Sequence, residues 1–163
     1  MLQTSTKSEL QTITIFTDGS CHTSLKKGGW AAILFIDSEK ILLQGSASDT
    51  THQRMELAAV IESLLYLQPK GLINNPITIY SDSQYVIGLI SRKEKLHKAN
   101  YKTRKSKLIR NADLVQAIIP YLNLPNVRFV KIKSHQKFSD DTSALNREVD
   151  ILSRAKMRTH ERT

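Results

Sequence analysis

The spacing of hydrophobic and polar positions predicts that strands and helices alternate along this chain. Residues 12–17 alternate and are rich in β-branched side chains, and apolar runs at 30–36 and 41–44 follow after short polar breaks. Three such segments with short connections predict an antiparallel meander of three strands. Apolar residues at helical spacing then predict a helix over 52–68.

The second half of the chain continues this alternation. Further elements are predicted as a strand at 77–80, a helix from 83 to about 90, a helix from 111 or 112 to 121, a strand at 127–132 and a helix at 143–157. Five strands and four helices in this order are typical of an α/β domain with a mixed sheet. We expect a single domain over 1–163, with its core at about 12–158 and short polar tails at both ends.

The composition argues against a secreted or membrane protein. Cys21 is the single cysteine, which excludes an intramolecular disulfide and indicates a reducing, cytoplasmic setting. Residues 1–11 are polar, and no segment approaches the roughly 20 apolar residues of a membrane span. We therefore expect a soluble cytoplasmic protein without a membrane partner.

The positive charge of the chain is concentrated in one stretch, residues 92–110, which we call the basic segment. The net charge is +9, and this segment contributes nine basic residues against one acid, which leaves about +1 for the rest of the chain. A localised basic stretch on a nearly neutral body is typical of a protein that binds a polyanion. A solvated helical face that only keeps the protein soluble explains the charge equally well.

Four acidic residues lie near predicted element ends or on one helix, and each has an ordinary structural explanation. Asp18 precedes a glycine and could belong to a turn, and Glu56 would be favoured by the dipole of its helix. Asp82 lies where an N-cap is expected, and Asp150 could be a solvated helix residue. Together the four acids favour a functional site, because an α/β sheet can place the ends of the strands before Asp18 and Asp82 side by side. Adjacent carboxylates repel each other unless a cation such as Mg²⁺ neutralises them, and two ions about 3.5–4 Å apart support phosphoryl displacement.

Six short motifs follow one another along residues 13–155: Thr17-Asp18-Gly19-Ser20-Cys21, Gly28-Gly29-Trp30, Arg54-Met55-Glu56-Leu57, Ser81-Asp82-Ser83-Gln84-Tyr85-Val86, Ser134-His135 and Asn146-Arg147-Glu148-Val149-Asp150. In their order and approximate spacing, these motifs resemble those of type 1 ribonuclease H. The resemblance implies a ribonuclease H-like fold, with a five-stranded mixed sheet of three antiparallel plus two parallel strands flanked by helices. It also implies an endonuclease that hydrolyses the RNA strand of RNA/DNA hybrids by two-metal-ion catalysis, giving 3′-hydroxyl and 5′-phosphate ends.

The same resemblance assigns roles to individual residues. Asp18, Glu56, Asp82 and Asp150 would bind two Mg²⁺ ions, for which Mn²⁺ can substitute, and His135 would assist proton movement or product release. The implied contacts to the hybrid duplex are Gly19, Ser20, Cys21, Thr51, His52, Gln53, Gln84 and Asn146, together with Lys98, Lys102, Arg104, Lys105 and Lys107 in the place of the family's basic protrusion. No small-molecule cofactor is implied, and a monomer would suffice.

The chain departs from the family pattern at several places. The loop after Cys21 lacks the usual Gly-Asn-Pro-Gly run, and His52-Gln53 replaces the usual asparagine pair, so substrate contacts there are expected to differ. Tyr101 is the only aromatic residue of the protrusion, which predicts binding by charge rather than by stacking. The Ser-His-Gln-Lys sequence that begins at residue 134 is similar to that of certain retroviral ribonuclease H domains.

Three other functions must be compared with hybrid cleavage. An integrase or junction resolvase of the same superfold would act on DNA, but the Asp-Gly-Ser and Arg-Met-Glu motifs argue against it. A catalytically silent hybrid-binding module would keep the fold and the basic segment, whereas all four acids are present here. Generic nucleotide binding is disfavoured because the chain has no phosphate-loop or dinucleotide glycine motif.

Overall fold

Strands and helices alternate through the residues that the structure, a computed structural model, describes, which are 10–133 and 141–159. In chain order they are β1 (Ile13–His22), β2 (Lys27–Ile36), β3 (Glu39–Ala47), α1 (His52–Leu67), a short 3-10 helix (Gln68–Lys70), β4 (Ile77–Ser81), α2 (Gln84–Lys98), α3 (Ala112–Leu122), β5 (Val127–Lys131) and α4 (Asp141–Arg158). Within this part of the chain, no helix has both the length and the hydrophobicity needed to cross a membrane.

The five strands form one mixed sheet in the order β3-β2-β1-β4-β5. β1, β2 and β3 pair in antiparallel fashion, and β4 and β5 extend the sheet in parallel from β1, which confirms the predicted fold class. The prediction that β1 ends before Asp18 was wrong. β1 pairs with β4 only as far as Phe16, opposite Tyr80. It continues to His22 because β2, which is longer than β4, supplies pairing partners for residues 17–22.

Hydrophobic side chains cover both faces of the central strands. Successive residues of β1 point to opposite faces, so Ile15 joins the core beneath α1, α2 and α3 while Phe16 joins a second cluster beneath α4. β2 divides in the same way, with Leu34 in the first cluster and Ile33 in the second. The sheet is therefore held between helices on both sides, and this fixes the positions of α1 and α4 relative to β1.

Helix α4 approaches β2 so closely that only glycine fits at position 29. A Cβ atom on Gly29 would lie 2.3 Å from the backbone nitrogen of Met157 and 2.4 Å from the carbonyl oxygen of Ser153. The hydroxyl groups of Ser20 and Ser153, 2.9 Å apart, join β1 to the same helix. These contacts fix the helix that carries Asp150.

The basic segment consists of two structural parts. α2 continues to Lys98 instead of ending near Ile90 as predicted, because its apolar face continues to the buried Leu96. After the helix, residues 101–109 fold back as a hairpin, in which Lys102 and Leu108 form an antiparallel bridge. The backbone nitrogen of Ile109 donates to the carbonyl oxygen of Tyr101 at 2.8 Å and closes this hairpin.

Gly29→Ala is expected to destabilise the protein by roughly 1–3 kcal/mol, because the new methyl group meets the backbone of α4 and forces it away from β2. Gly88→Ala is the matched control. Its Cβ meets nothing within 4 Å, and alanine in a helix interior should stabilise by about 0.5–1 kcal/mol. Urea unfolding of the two variants measures both effects, and equal stability of the variants would contradict the close approach.

Candidate active site

The parallel register of β1 and β4 places Asp18 and Asp82 at the same level of the sheet. Each lies two residues beyond the last parallel pair, Phe16 and Tyr80. Asp18 is buried, and burial raises its pKa from 3.8 to about 9, with further contributions from the charge of Asp82 and from a hydrogen bond to the side chain of Asp150. Three of the predicted acids therefore interact directly at this edge of the sheet.

Glu56 joins them because α1 packs against β1 beside Asp18. A Cβ atom on Gly19 would lie 2.4 Å from the backbone nitrogen of Glu56, so the absence of a side chain at this position lets the first turn of α1 reach the strand. Burial and then the charge of Glu56 raise the pKa of Asp82. Glu56 therefore belongs to the same cluster of carboxyl groups as Asp18, Asp82 and Asp150.

Both carboxylate oxygens of Glu56 have protein partners. The Ser83 hydroxyl donates to Oε2 at 2.5 Å, and Nε2 of His52, one helical turn earlier, lies 2.9 Å from Oε1. The hydrogen bond to Glu56 is the main cause that raises the pKa of His52. Glu56 is thus held in a fixed orientation between α1 and the start of α2.

Neutral and basic side chains also contact the other acids of the cluster. Asn146 on α4 forms a hydrogen bond to Asp82, which counteracts the rise in the pKa of that carboxyl group. Arg154, one turn after Asp150, donates from Nε to Asp150 Oδ1 at 3.1 Å. These contacts offset only part of the repulsion, since the pKa values of Asp18 and Asp82 remain raised.

The donor set of this cluster fits a hard divalent cation. Four carboxylates provide only oxygen ligands, and a cation would remove the mutual repulsion that disfavours their charged forms. Across residues 10–133 and 141–159, however, no group of three or more His, Cys, Asp or Glu side chains is already arranged to hold a metal ion. The acids are close enough to interact, and binding a cation would have to draw their oxygens onto common centres.

An open cavity of about 290 Å³ is lined by His52 and Arg154, the partners of Glu56 and Asp150. Three of the predicted substrate contacts, Ser20, Cys21 and His52, line it together with two basic residues of α4, Arg154 and Arg158. Because the cavity combines hydroxyl, imidazole and guanidinium groups, it is suited to polar or anionic groups.

The other predicted polar contacts are already engaged within the protein. The Thr51 hydroxyl caps α1 by accepting from the backbone nitrogen of Arg54, and Gln53 accepts from Asn111 at 3.4 Å. Gln84 accepts from Lys131 at the end of β5. These side chains would have to share or exchange partners to touch a substrate, and their assignment stays a prediction.

The five basic residues predicted to contact the substrate are exposed, with Lys98 at the end of α2 and the other four on the hairpin. Lys93 of the same segment has a structural contact instead, since its Nζ donates to the carbonyl oxygen of Leu122 at 3.2 Å and caps α3. His135 lies outside the described residues.

Comparison with known proteins identifies the family. A sequence profile of RNase H matches residues 10–158. The chain belongs to the ribonuclease H family. It is similar to the ribonuclease H of Caldicellulosiruptor saccharolyticus, with 35% identity over 148 residues that cover 90% of this chain and 96% of the relative.

Solved structures share the ribonuclease H fold. LC9-RNase H1, a type 1 RNase H with the type 2 active-site motif, superposes with a TM-score of 0.77 at 20% identity over 93% of this chain and 74% of that one. The foamy viral protease-reverse transcriptase in complex with an RNA/DNA hybrid gives a TM-score of 0.71 at 19% identity, over 91% of this chain and 20% of that one. At these identities the two structures establish the common fold.

Two residues of the ribonuclease H motifs have roles that sequence reasoning missed. Ser83, and not Asp82 at the position where the N-cap was expected, caps α2 by accepting from the backbone nitrogen of Val86, and it also holds Glu56. Arg54 forms a paired contact with Asp113 at 2.7 and 2.9 Å, which joins α1 to α3. The position of Ser83 before a helix predicts its cap, but nothing local indicates a partner 27 residues earlier.

Ser83→Ala is expected to lower the free energy of unfolding by about 1 kcal/mol or more, because it removes a helix cap and the donor to a buried carboxylate. Ser91→Ala is the control in the same helix, since its exposed hydroxyl only donates to the Gly88 carbonyl oxygen. Its effect should stay within about 0.5 kcal/mol. Equal denaturation midpoints for the two variants would refute the double role of Ser83.

Proposed function

We propose that this chain hydrolyses the RNA strand of RNA/DNA hybrids as an endonuclease and leaves 3′-hydroxyl and 5′-phosphate ends. The observation that carries this proposal is the convergence of four carboxylates from β1, α1, the residue after β4, and α4 at one edge of the sheet. Membership of the ribonuclease H family supports the same chemistry. The hybrid bound to the foamy viral relative supports the choice of substrate.

Asp18, Glu56, Asp82 and Asp150 are the proposed cation ligands, for two Mg²⁺ ions that Mn²⁺ can replace. Bound divalent ions would activate water and stabilise the charge that develops on the phosphate. The protein supplies the orientation of the ligands, through Ser83 and His52 at Glu56 and through Asn146 at Asp82.

Other residues of the chain are proposed to handle the substrate and the proton. His135 would assist proton movement or product release, because an imidazole titrates near neutrality. Asn146 lies one helical turn before Asp150, on the face that reaches Asp82, and would contact the RNA strand near the scissile phosphate. The exposed lysines and Arg104 of the basic segment would hold the phosphates of the hybrid away from the cut.

We further propose that the chain acts as one catalytic domain and as a monomer. All four acids come from this chain, and the central strands are covered on both faces by its own helices. The single cysteine supports a reducing, cytoplasmic location.

Purified protein with Mg²⁺ is expected to cut the RNA strand of an end-labelled hybrid and to spare single-stranded RNA and duplex DNA. Chelator should abolish the cut. Asp18→Asn should reduce the rate by several orders of magnitude while the protein stays folded, because the change removes a proposed ligand and replaces a buried carboxyl group by an amide of nearly the same shape. Glu62→Gln, which neutralises an exposed carboxylate of α1, is the matched control and should retain the rate.

Cleavage of duplex DNA instead of the hybrid would favour the integrase-like alternative. Hybrid binding without any cleavage in Mg²⁺ or Mn²⁺ would favour a silent binding module. Full activity of Asp18→Asn would exclude the proposed role of this carboxylate.

Neutralising Arg104 and Lys105 at the hairpin tip should weaken hybrid binding and reduce its dependence on salt. The log-log slope should become shallower by roughly 0.9 for each phosphate that the protein no longer neutralises. Fluorescence anisotropy in the Asp18→Asn background measures binding without cleavage. Neutralising Lys70 and Arg128 together is the control, because it removes the same charge outside the basic segment, and it should leave the slope unchanged. If both double variants changed the slope equally, the basic segment would have only a solubilising role.

A further inference from the structure

His52 lies at the rim of the acidic cluster and turns one ring nitrogen toward it. Its imidazole is 57% exposed, whereas Glu56, one helical turn later on the same face, is nearly buried. Nε2 of His52 lies 2.9 Å from Oε1 of Glu56, and Ser83 holds the other carboxylate oxygen. Glu56 is therefore fixed so that its remaining oxygen faces an imidazole nitrogen.

The separation of these two atoms matches that of neighbouring ligands on one metal ion. Adjacent ligand atoms of a six-coordinate ion with bonds of about 2.1 Å are about 3 Å apart. An ion could bind Nε2 and Oε1 together after loss of the proton between them, once the imidazole and the carboxylate rotate so that both lone pairs point to a common centre. The cavity of about 290 Å³ that His52 lines, together with Arg154 and Arg158, has room for several waters at about 30 Å³ each.

The chemical class of the donor determines which ions such a pair favours. Carboxylate oxygens suit Mg²⁺, whereas an imidazole nitrogen favours the transition-metal ions in the order of their general affinity for nitrogen ligands. We propose that His52 and Glu56 act as paired ligands of one divalent ion and shift the metal preference of this site from Mg²⁺ toward ions such as Mn²⁺ and Co²⁺. The inference rests on the proposed function, because Glu56 must take part in cation binding.

The charged groups around His52 act in opposite directions. Asp82 lies close enough for its negative charge to affect the imidazole, and it would favour a cation there, while Arg154 opposes one. Arg154 is bound to Asp150, which directs part of its charge to that carboxylate. Arg158 lines the same cavity as His52 and adds a second positive charge that opposes a cation, so binding there depends on the charges of Glu56 and Asp82 outweighing both guanidinium groups.

The test compares metal binding by the full chain with that of His52→Asn, without substrate. Asparagine keeps a side-chain donor for Glu56 but removes the imidazole. Calorimetric titration should show that Co²⁺ affinity falls by roughly tenfold or more, Mn²⁺ affinity falls less and Mg²⁺ affinity stays nearly constant. Pulsed electron paramagnetic resonance of bound Mn²⁺ should show imidazole ¹⁴N modulation that His52→Asn loses and that the control His97→Asn, an exposed imidazole on α2, retains.

Each other outcome overturns the proposal in a distinct way. Equal weakening of all three ions would mean that His52 only positions Glu56, and ¹⁴N modulation that persists in His52→Asn would assign the signal to another imidazole. If the unaltered chain binds none of the ions, the acidic site of the proposed function fails together with this inference. If the chain binds them with a preference that His52→Asn does not alter, only the role of His52 fails, and the cleavage assay still tests the proposed function.

Discussion

Repulsion between carboxylates at one sheet edge is the constraint on which the site depends. The register of β1 and β4 places Asp18 beside Asp82, and packing of α1 and α4 adds Glu56 and Asp150. Burial disfavours the charged form of Asp18 and, with the nearby Asp82 and Asp150, raises its pKa far above its ordinary value. The surrounding donors oppose this effect only in part, so Asp18 and Asp82 keep raised pKa values, which a bound cation would lower.

The scaffold resists this repulsion through close packing on both sides of the sheet. Gly19 and Gly29 let α1 and α4 approach neighbouring strands at backbone distance, and large apolar side chains fill the two cores behind them. Because interiors are packed as densely as organic crystals, the helices cannot retreat to separate the acids. The hydrophobic effect therefore stabilises an arrangement that electrostatics alone would disperse.

Much of the fold was predictable because local patterns agree with it. Alternation identified β1, and a short apolar run identified β4. The expectation that the ends of these strands meet linked Asp18 with Asp82, whereas Glu56 and Asp150 were recognised through the family motifs. The continuation of β1 to His22 and of α2 to Lys98 could not be predicted in the same way, since each depends on partners distant in sequence: the length of β2 and the pocket that buries Leu96. The partners of Gln53 and Glu56 were missed for the same reason, because Asn111 and Ser83 meet them only in three dimensions.

The hairpin at residues 101–109 has a thermodynamic consequence for recognition. Tyr101 and Ile109 pack against the main core, while the backbone nitrogen of Thr103 donates to the carbonyl oxygen of Lys107 at 2.7 Å. A disordered arm would lose backbone freedom on meeting a ligand, at about 1–2 kcal/mol for each residue that becomes fixed. The backbone of this hairpin is already fixed in the folded protein. Binding therefore costs little further backbone entropy, and more of the electrostatic attraction of its exposed cations contributes to affinity.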